Sequence, residues 1–268
     1  MTIAPSELPF PPLEFRRQVG PTDVTFFDNP DGLPMFPEID RPATSLYEFV
    51  FDFGCGCGRL GRKLIQQKPR PARYLGIDLQ APLINWSQTN LAPCAERFEF
   101  RHHDVHSASL NPGATEQTLP FPMESGVVSL FIAWSVFTHL LAADATYYLK
   151  ELSRVLGPDG VATTTWFLFD KSDFPMMQTF QNSLFINSDD PTNAVIFDRT
   201  WLLEELARSG LVATKIVPPA IRGFQWMLYI EKQDGSKSVA DFPEDLAPRG
   251  IARPPHGVDA IEDVRILP

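Results

Sequence analysis

Phe49-Val50-Phe51-Asp52-Phe53-Gly54-Cys55-Gly56-Cys57-Gly58-Arg59-Leu60 constrains this chain more than any other stretch. Four apolar residues within Phe49–Phe53 predict a buried parallel strand, because such strands are covered on both faces and lose polar alternation. Glycines then recur at every second position, Gly54, Gly56 and Gly58. Glycine accepts positive φ and puts no Cβ between backbone and ligand, so the turn can approach a bound molecule closely. Leu60 and Leu64 lie four apart and predict a helix that Pro69 stops. Strand, glycine turn and helix together open a nucleotide-binding unit.

Two readings compete for that turn. Gly56, Gly58 and Gly61 spell G-x-G-x-x-G, the dinucleotide fingerprint that seats a pyrophosphate on a helix N-terminus. Asp52-x-Gly54-x-Gly56-x-Gly58 instead places an acid at the strand end ahead of G-x-G-x-G. In that form the stretch resembles motif I of the class I S-adenosylmethionine (SAM)-dependent methyltransferases. SAM carries an α-ammonium group, which a carboxylate at Asp52 suits directly or through water. The same carboxylate repels a pyrophosphate.

Composition bounds the partners. At 30.1 kDa and 44% hydrophobic residues the chain can build one large α/β core. Its net charge of −10 argues against nucleic acid, which is bound through clustered Lys and Arg. Small molecules fit better. Three cysteines, two of them inside the glycine turn, give no disulfide framework and suit a reducing compartment. Met1–Pro12 has neither a basic nor an apolar leader region. The longest apolar run, 127–143, is interrupted by Ser129, Ser135, Thr138 and His139 and falls short of a bilayer span. The expectation is a cytoplasmic protein with no membrane contact.

Along the chain, residues 1–45 are proline-rich and predict an arm on the surface. Arg73–Leu79 predicts a second strand ending in Asp78, twenty residues past Gly58 (78 − 58 = 20), the spacing at which an acid takes ribose hydroxyls. Both NAD and SAM carry that ribose. Residues 81–91 read as a helix, 98–105 as a third strand and 126–134 as a fourth. His102, His103, Asp104 and His106 tempt a metal reading with Cys55 and Cys57. Adjacent strand residues point to opposite faces, however, so a metal is not expected. Asp144 is expected to cap the next helix, residues 161–169 form a fifth strand, and 200–208 a helix. Residues 211–217 and 224–231 close the domain as two strands. Residues 170–198 lack a period but carry Phe174, Met176, Met177, Phe180, Phe185 and Phe197, either walls of an acceptor pocket or a satellite core. The expected organisation is an arm (1–45), a domain (46–232) with an insertion (170–198), and a tail (233–268).

The resemblance runs over about 46–231, with Leu152-x-Arg154-Val155-Leu156-x-Pro158-x-Gly160 matching another phrase of the family. It implies a Rossmann-like α/β fold: a seven-stranded mixed sheet of order 3-2-1-4-5-7-6, helices on both faces. It implies SAM as cofactor and contacts to it from Asp52, Phe53, Gly54, Cys55, Gly56, Gly58, Arg59, Asp78 and Leu79. Asp104 and Val105 would meet the adenine, and Trp134 and Ser135 the methionyl or adenosine portion. Arg59 is expected to brace the turn through a carboxylate or a carbonyl. His139, just after the fourth strand at the sheet edge where open α/β sheets bind ligands, is the candidate base. It could equally cap or pack its helix. The expected activity is O-methylation of a small molecule or sugar. The alternatives are an NAD(P)-linked oxidoreductase and a non-catalytic binding protein with the same fold.

Overall fold

The computed structural model describes residues 8–248. Strands β1 (Val50–Phe53), β2 (Tyr74–Asp78), β3 (Phe98–His102), β4 (Val128–Ala133) and the first part of β5 (Leu156–Phe169) run parallel in the order 3-2-1-4-5. β9 (Trp226–Lys232) then pairs antiparallel with β5, and β8 (Leu211–Val217) antiparallel with β9. Counted along this run, the seven strands follow the expected order 3-2-1-4-5-7-6.

The sheet has nine strands, not seven. β5 outlasts β9: their pairing ends at Trp166 opposite Trp226, and Phe167–Phe169 pair parallel with β7 (Val195–Asp198). β7 forms a hairpin with β6 (Ser183–Phe185). Both extra strands lie in the insertion, and at three and four residues they are too short to carry a legible alternation.

Alternation within the strands sends side chains to two faces. Phe51, Phe53, Phe131 and Ala133 pack against α5 (Ala142–Val155) and α6 (Arg199–Arg208). Val50, Leu130 and Ile132 pack against α3 (Arg59–Gln66) and α4 (Ala81–Asn90). Three boundaries shift from expectation. β3 stops at His102 because His103–Val105 curls into a turn closed by Val105 N–H on the His103 carbonyl (2.8 Å). Asp144 lies inside the first turn of α5 and accepts from Gln117 Nε2 (3.2 Å), so it is not the cap. β5 starts at Leu156, five residues before the expected Val161, with a register shift that leaves Pro158 and Asp159 exposed.

The arm is more ordered than its prolines suggest. It contains α1 (Leu13–Gln18) and α2 (Ala43–Leu46), with a 3-10 turn at Val24–Phe27 between them. Arg62 of α3 ties it down. Its guanidinium, 1% exposed, donates to the carbonyls of Leu8, Pro9 and Phe27, pairs with Asp28 (2.7 Å) and stacks on Phe10. A buried arginine is tolerable only when its donors are satisfied in this way. The tail leaves β9 and packs back: Ala240 N–H bonds the Ala213 carbonyl, and Phe242 lies on Trp226. The rest of the expected tail, from 249 onward, lies outside the described residues, as do residues 1–7.

Candidate functional site

The glycine turn joins β1 to α3 at the C-terminal edge of the sheet. Gly54, Gly56 and Gly58 all hold positive φ (80°, 55° and 75°), a conformation that costs a side-chain-bearing residue about 1 kcal/mol or more. Their missing Cβ atoms make room for protein rather than for ligand. A Cβ at Gly54 would overlap Val136, one at Gly56 would overlap Val19 of the arm, and one at Gly58 would overlap Leu91. The spacing therefore reflects backbone conformation and close packing, which corrects the expectation of a bare approach to the ligand.

Asp78 stands at this turn. Its Oδ2 accepts from Gly56 N–H (2.9 Å) and its Oδ1 from Gln80 N–H (2.8 Å). Each carboxylate oxygen keeps lone pairs for a further donor. Burial raises its pKa, partly offset by those amides. Leu79, next along, gives its carbonyl to His102 Nε2 (2.9 Å).

Asp52 sits deeper than the sequence implies. It is 4% exposed and lies on the α3 face beneath the turn, where its Oδ2 accepts from Tyr74 Oη (2.7 Å). Burial pushes its carboxyl up to about 7, against the Tyr74 hydrogen bond and the Arg59 charge, while Asp78 pushes it further up. It acts on a ligand through its field, not by contact. Arg59 is half-buried, feels Asp52 electrostatically, and makes no hydrogen bond or ion pair among the described residues. The expected carbonyl or carboxylate brace is absent there.

Phe53 and the cysteines are also packing residues. The Phe53 ring lies among Phe121, Tyr148, Phe131 and His103. Cys55 and Cys57 are buried, and burial holds both thiols above their ordinary range, Cys57 at about 12. Such thiols are inert. Only the backbone at these three positions can meet a ligand.

At the third strand, Asp104 is exposed and accepts from Asn111 Nδ2 (2.9 Å). Val105 is buried, with its amide already given to His103. The histidines diverge: His103 bonds Tyr148 Oη (2.9 Å), where burial lowers its pKa to about 4, while His106 Nδ1 faces the Ala114 carbonyl. Among the described residues no His, Cys, Asp and Glu side chains gather as a metal site.

Beyond β4 the chain crosses the sheet edge. Trp134 Nε1 donates to Thr163 Oγ1 (3.2 Å), and its ring meets Phe36 edge-on. Ser135 is exposed with φ 58°, a left-handed conformation unusual outside glycine. Thr165 holds it there by accepting Ser135 N–H (2.7 Å), and Gln225 links both hydroxyls. Thr163, Thr165 and Gln225 were not legible as site residues. Only the pairing of β5 with β9 and the turn before β9 bring them to Trp134 and Ser135.

His139 is exposed, and its Nδ1 lies 2.9 Å from the Thr192 carbonyl of the insertion. A carbonyl can only accept, so Nδ1 carries the proton and Nε2 keeps its lone pair. A residue from the insertion thus sets the tautomer a base needs.

Residues 50–160 match the family model described as a methyltransferase domain. The chain belongs to that family. It is the S-adenosylmethionine-dependent family implied by the glycine-turn motif. Among solved structures it is similar to mitomycin 7-O-methyltransferase (14% identity, TM-score 0.47, covering 71% of this chain and 50% of that one). A neocarzinostatin-biosynthesis O-methyltransferase, solved with SAM and 2-hydroxy-5-methyl naphthoic acid, matches at 14% identity and TM-score 0.48 (74% and 53%). The geranyl diphosphate C-methyltransferase from Streptomyces coelicolor A3(2) matches at 17% and 0.48 (70% and 74%). The chain spans about half the length of the first two. At these identities the likeness bears on neither substrate nor reaction. No helix among the described residues is long and apolar enough to cross a membrane.

The donor set fits SAM. Asp78 offers acceptors for ribose hydroxyls at the turn, and two desolvated carboxyls, Asp52 and Asp78, favour a cationic ligand end. A pyrophosphate on the α3 N-terminus would sit against both acids.

Proposed function

We propose that the chain is a SAM-dependent methyltransferase acting on a small-molecule or sugar hydroxyl. The observation that carries this reading is Asp78, bonded to the glycine turn by one oxygen and to Gln80 by the other, with Asp52 buried behind it. Asp78 would take the ribose, the backbone of Gly54–Gly58 would line the amino-acid end, and Asp104 would face the adenine. SAM supplies an activated methyl group; the protein's task is alignment, which by proximity accounts for roughly 7–11 kcal/mol in well-ordered reactions.

A hydroxyl acceptor must lose a proton as its oxygen takes the methyl group. His139 is placed for that, with Nε2 free and Nδ1 fixed by the Thr192 carbonyl. The exposed aromatics of the insertion, Phe174 and Phe180, supply apolar surface on the acceptor side. The protein is expected to work in the cytoplasm.

A screen with methyl-labelled SAM against small phenols, aliphatic alcohols, sugars and matched amines tests the reading. Label transferred to hydroxyl oxygen supports it. Transfer confined to amines or carbon overturns the O-methylation assignment, and no transfer with intact SAM binding favours a binding role.

A further inference from the structure

A cavity of about 250 Å³ opens beside the glycine turn, between the arm and the first turns of α3. Pro21, Phe26 and Met35 of the arm form one wall, and Trp134 lies across from them. Arg59 and Lys63, one turn apart on α3, both border it.

Neither cation has a hydrogen bond or ion-pair partner among the described residues. The nearby acids are engaged elsewhere: Asp28 binds Arg62 and Gln66, and Asp52 binds Tyr74. Asp28 and Asp52 reach Lys63 and Arg59 only through space. Two half-buried cations left unmatched, in a chain of net charge −10, are costly unless something offsets them. Burial lowers the pKa of both, as does their mutual repulsion at Lys63. The remaining walls are an indole, a phenyl ring and a thioether, which suit a flat apolar body. Arginine's fork and lysine's point charge both suit carboxylate or phosphate oxygens.

We propose that this cavity binds an acidic group of the methyl acceptor, an aromatic carboxylate or phosphate ester, held between Arg59 and Lys63. The inference rests on the methyltransferase reading and deepens it: the acceptor carries an anion near the hydroxyl that is methylated. No bond forms or breaks in this cavity.

Calorimetry on the full chain tests it, with S-adenosylhomocysteine (SAH), benzoate, phenyl phosphate and neutral benzamide as probes. SAH is titrated first; a silent titration overturns the methyltransferase reading, and the acceptor assignment falls with it. With SAH saturating, benzoate or phenyl phosphate is expected to bind at least about tenfold more tightly than benzamide, about 1.4 kcal/mol. The stronger of the two acids distinguishes carboxylate from phosphate. Lys63→Met, its fold checked by circular dichroism, is expected to lose most of that preference, and Lys63→Arg to keep it. Acid binding that SAH abolishes assigns the cavity to the cofactor's own amino-acid end and overturns the proposal. So does equal binding of acid and amide, or no acid binding at all.

Discussion

The two halves of the sheet's C-terminal edge are built differently. Around β1, β2 and β3 the edge is buried and bonded: Asp78 to Gly56 and Gln80, Asp52 to Tyr74, and three glycines whose Cβ positions are filled by Val136, Val19 and Leu91. Across β4, β5 and the insertion the edge is open: Ser135 and His139 are exposed, with Phe180 at 77% and Met176 at 90%. The first half is preorganised for one ligand. The second presents adaptable apolar surface, and the two meet where the insertion's Thr192 carbonyl takes the His139 proton. The contrast teaches that cofactor and acceptor are recognised by different physics, a fixed set of hydrogen bonds on one side and exposed aromatic area on the other.

The seam between the halves should give the largest effect. His139→Ala is expected to lower turnover by ~10²–10⁴-fold with SAM affinity within about twofold, because a base is lost and the cofactor half is untouched. Single-turnover rates and calorimetry check this; unchanged turnover makes His139 a packing residue. Next, Asp78→Ala removes the partner of two amides and of the ribose. It is expected to weaken SAH binding by about 100-fold or more, read by calorimetry. An unaffected Kd would detach Asp78 from the cofactor.

Asp52 sharpens the comparison through pH. Its folded pKa, about 7, lies above the unfolded value near 3.8, so the folded state holds the proton longer. Its contribution to stability is full below pH 3.8 and is lost as pH rises through 7. Thermal melts should show the wild type losing stability over that window relative to Asp52→Asn. A cationic ligand end favours the ionised acid, so SAH affinity should rise by up to about fivefold between pH 6 and 7. Asp52→Asn should flatten that rise; a rise unchanged in the variant would assign it to another group.

The smallest stability effect is expected in the open half. Phe180→Ser, at a residue 77% exposed, should leave stability within about 0.5 kcal/mol yet raise the KM for an apolar acceptor. A clear drop in Tm instead would make the insertion a satellite core.

Legibility in the sequence follows the same divide. Buried parallel strands are continuous apolar runs, so β1, β2 and β4 were found to within about two residues, and the 20-residue interval located Asp78 at its turn. Side-chain direction was less legible. Nothing in Asp52-Phe53-Gly54 says that Asp52 faces Tyr74 under α3 or that Phe53 joins the Phe121–Tyr148 cluster. The partners of Ser135 come from 30 and 90 residues away, Thr165 and Gln225, through strand pairings no local pattern records. Arg62 gave no signal either, since its role exists only once the arm has folded over α3.

The most direct measurement is calorimetric titration of the wild-type chain with SAH and, separately, with NADH. Saturable binding of SAH with no heat from NADH is the result this account predicts. Tight NADH binding with none of SAH would contradict it.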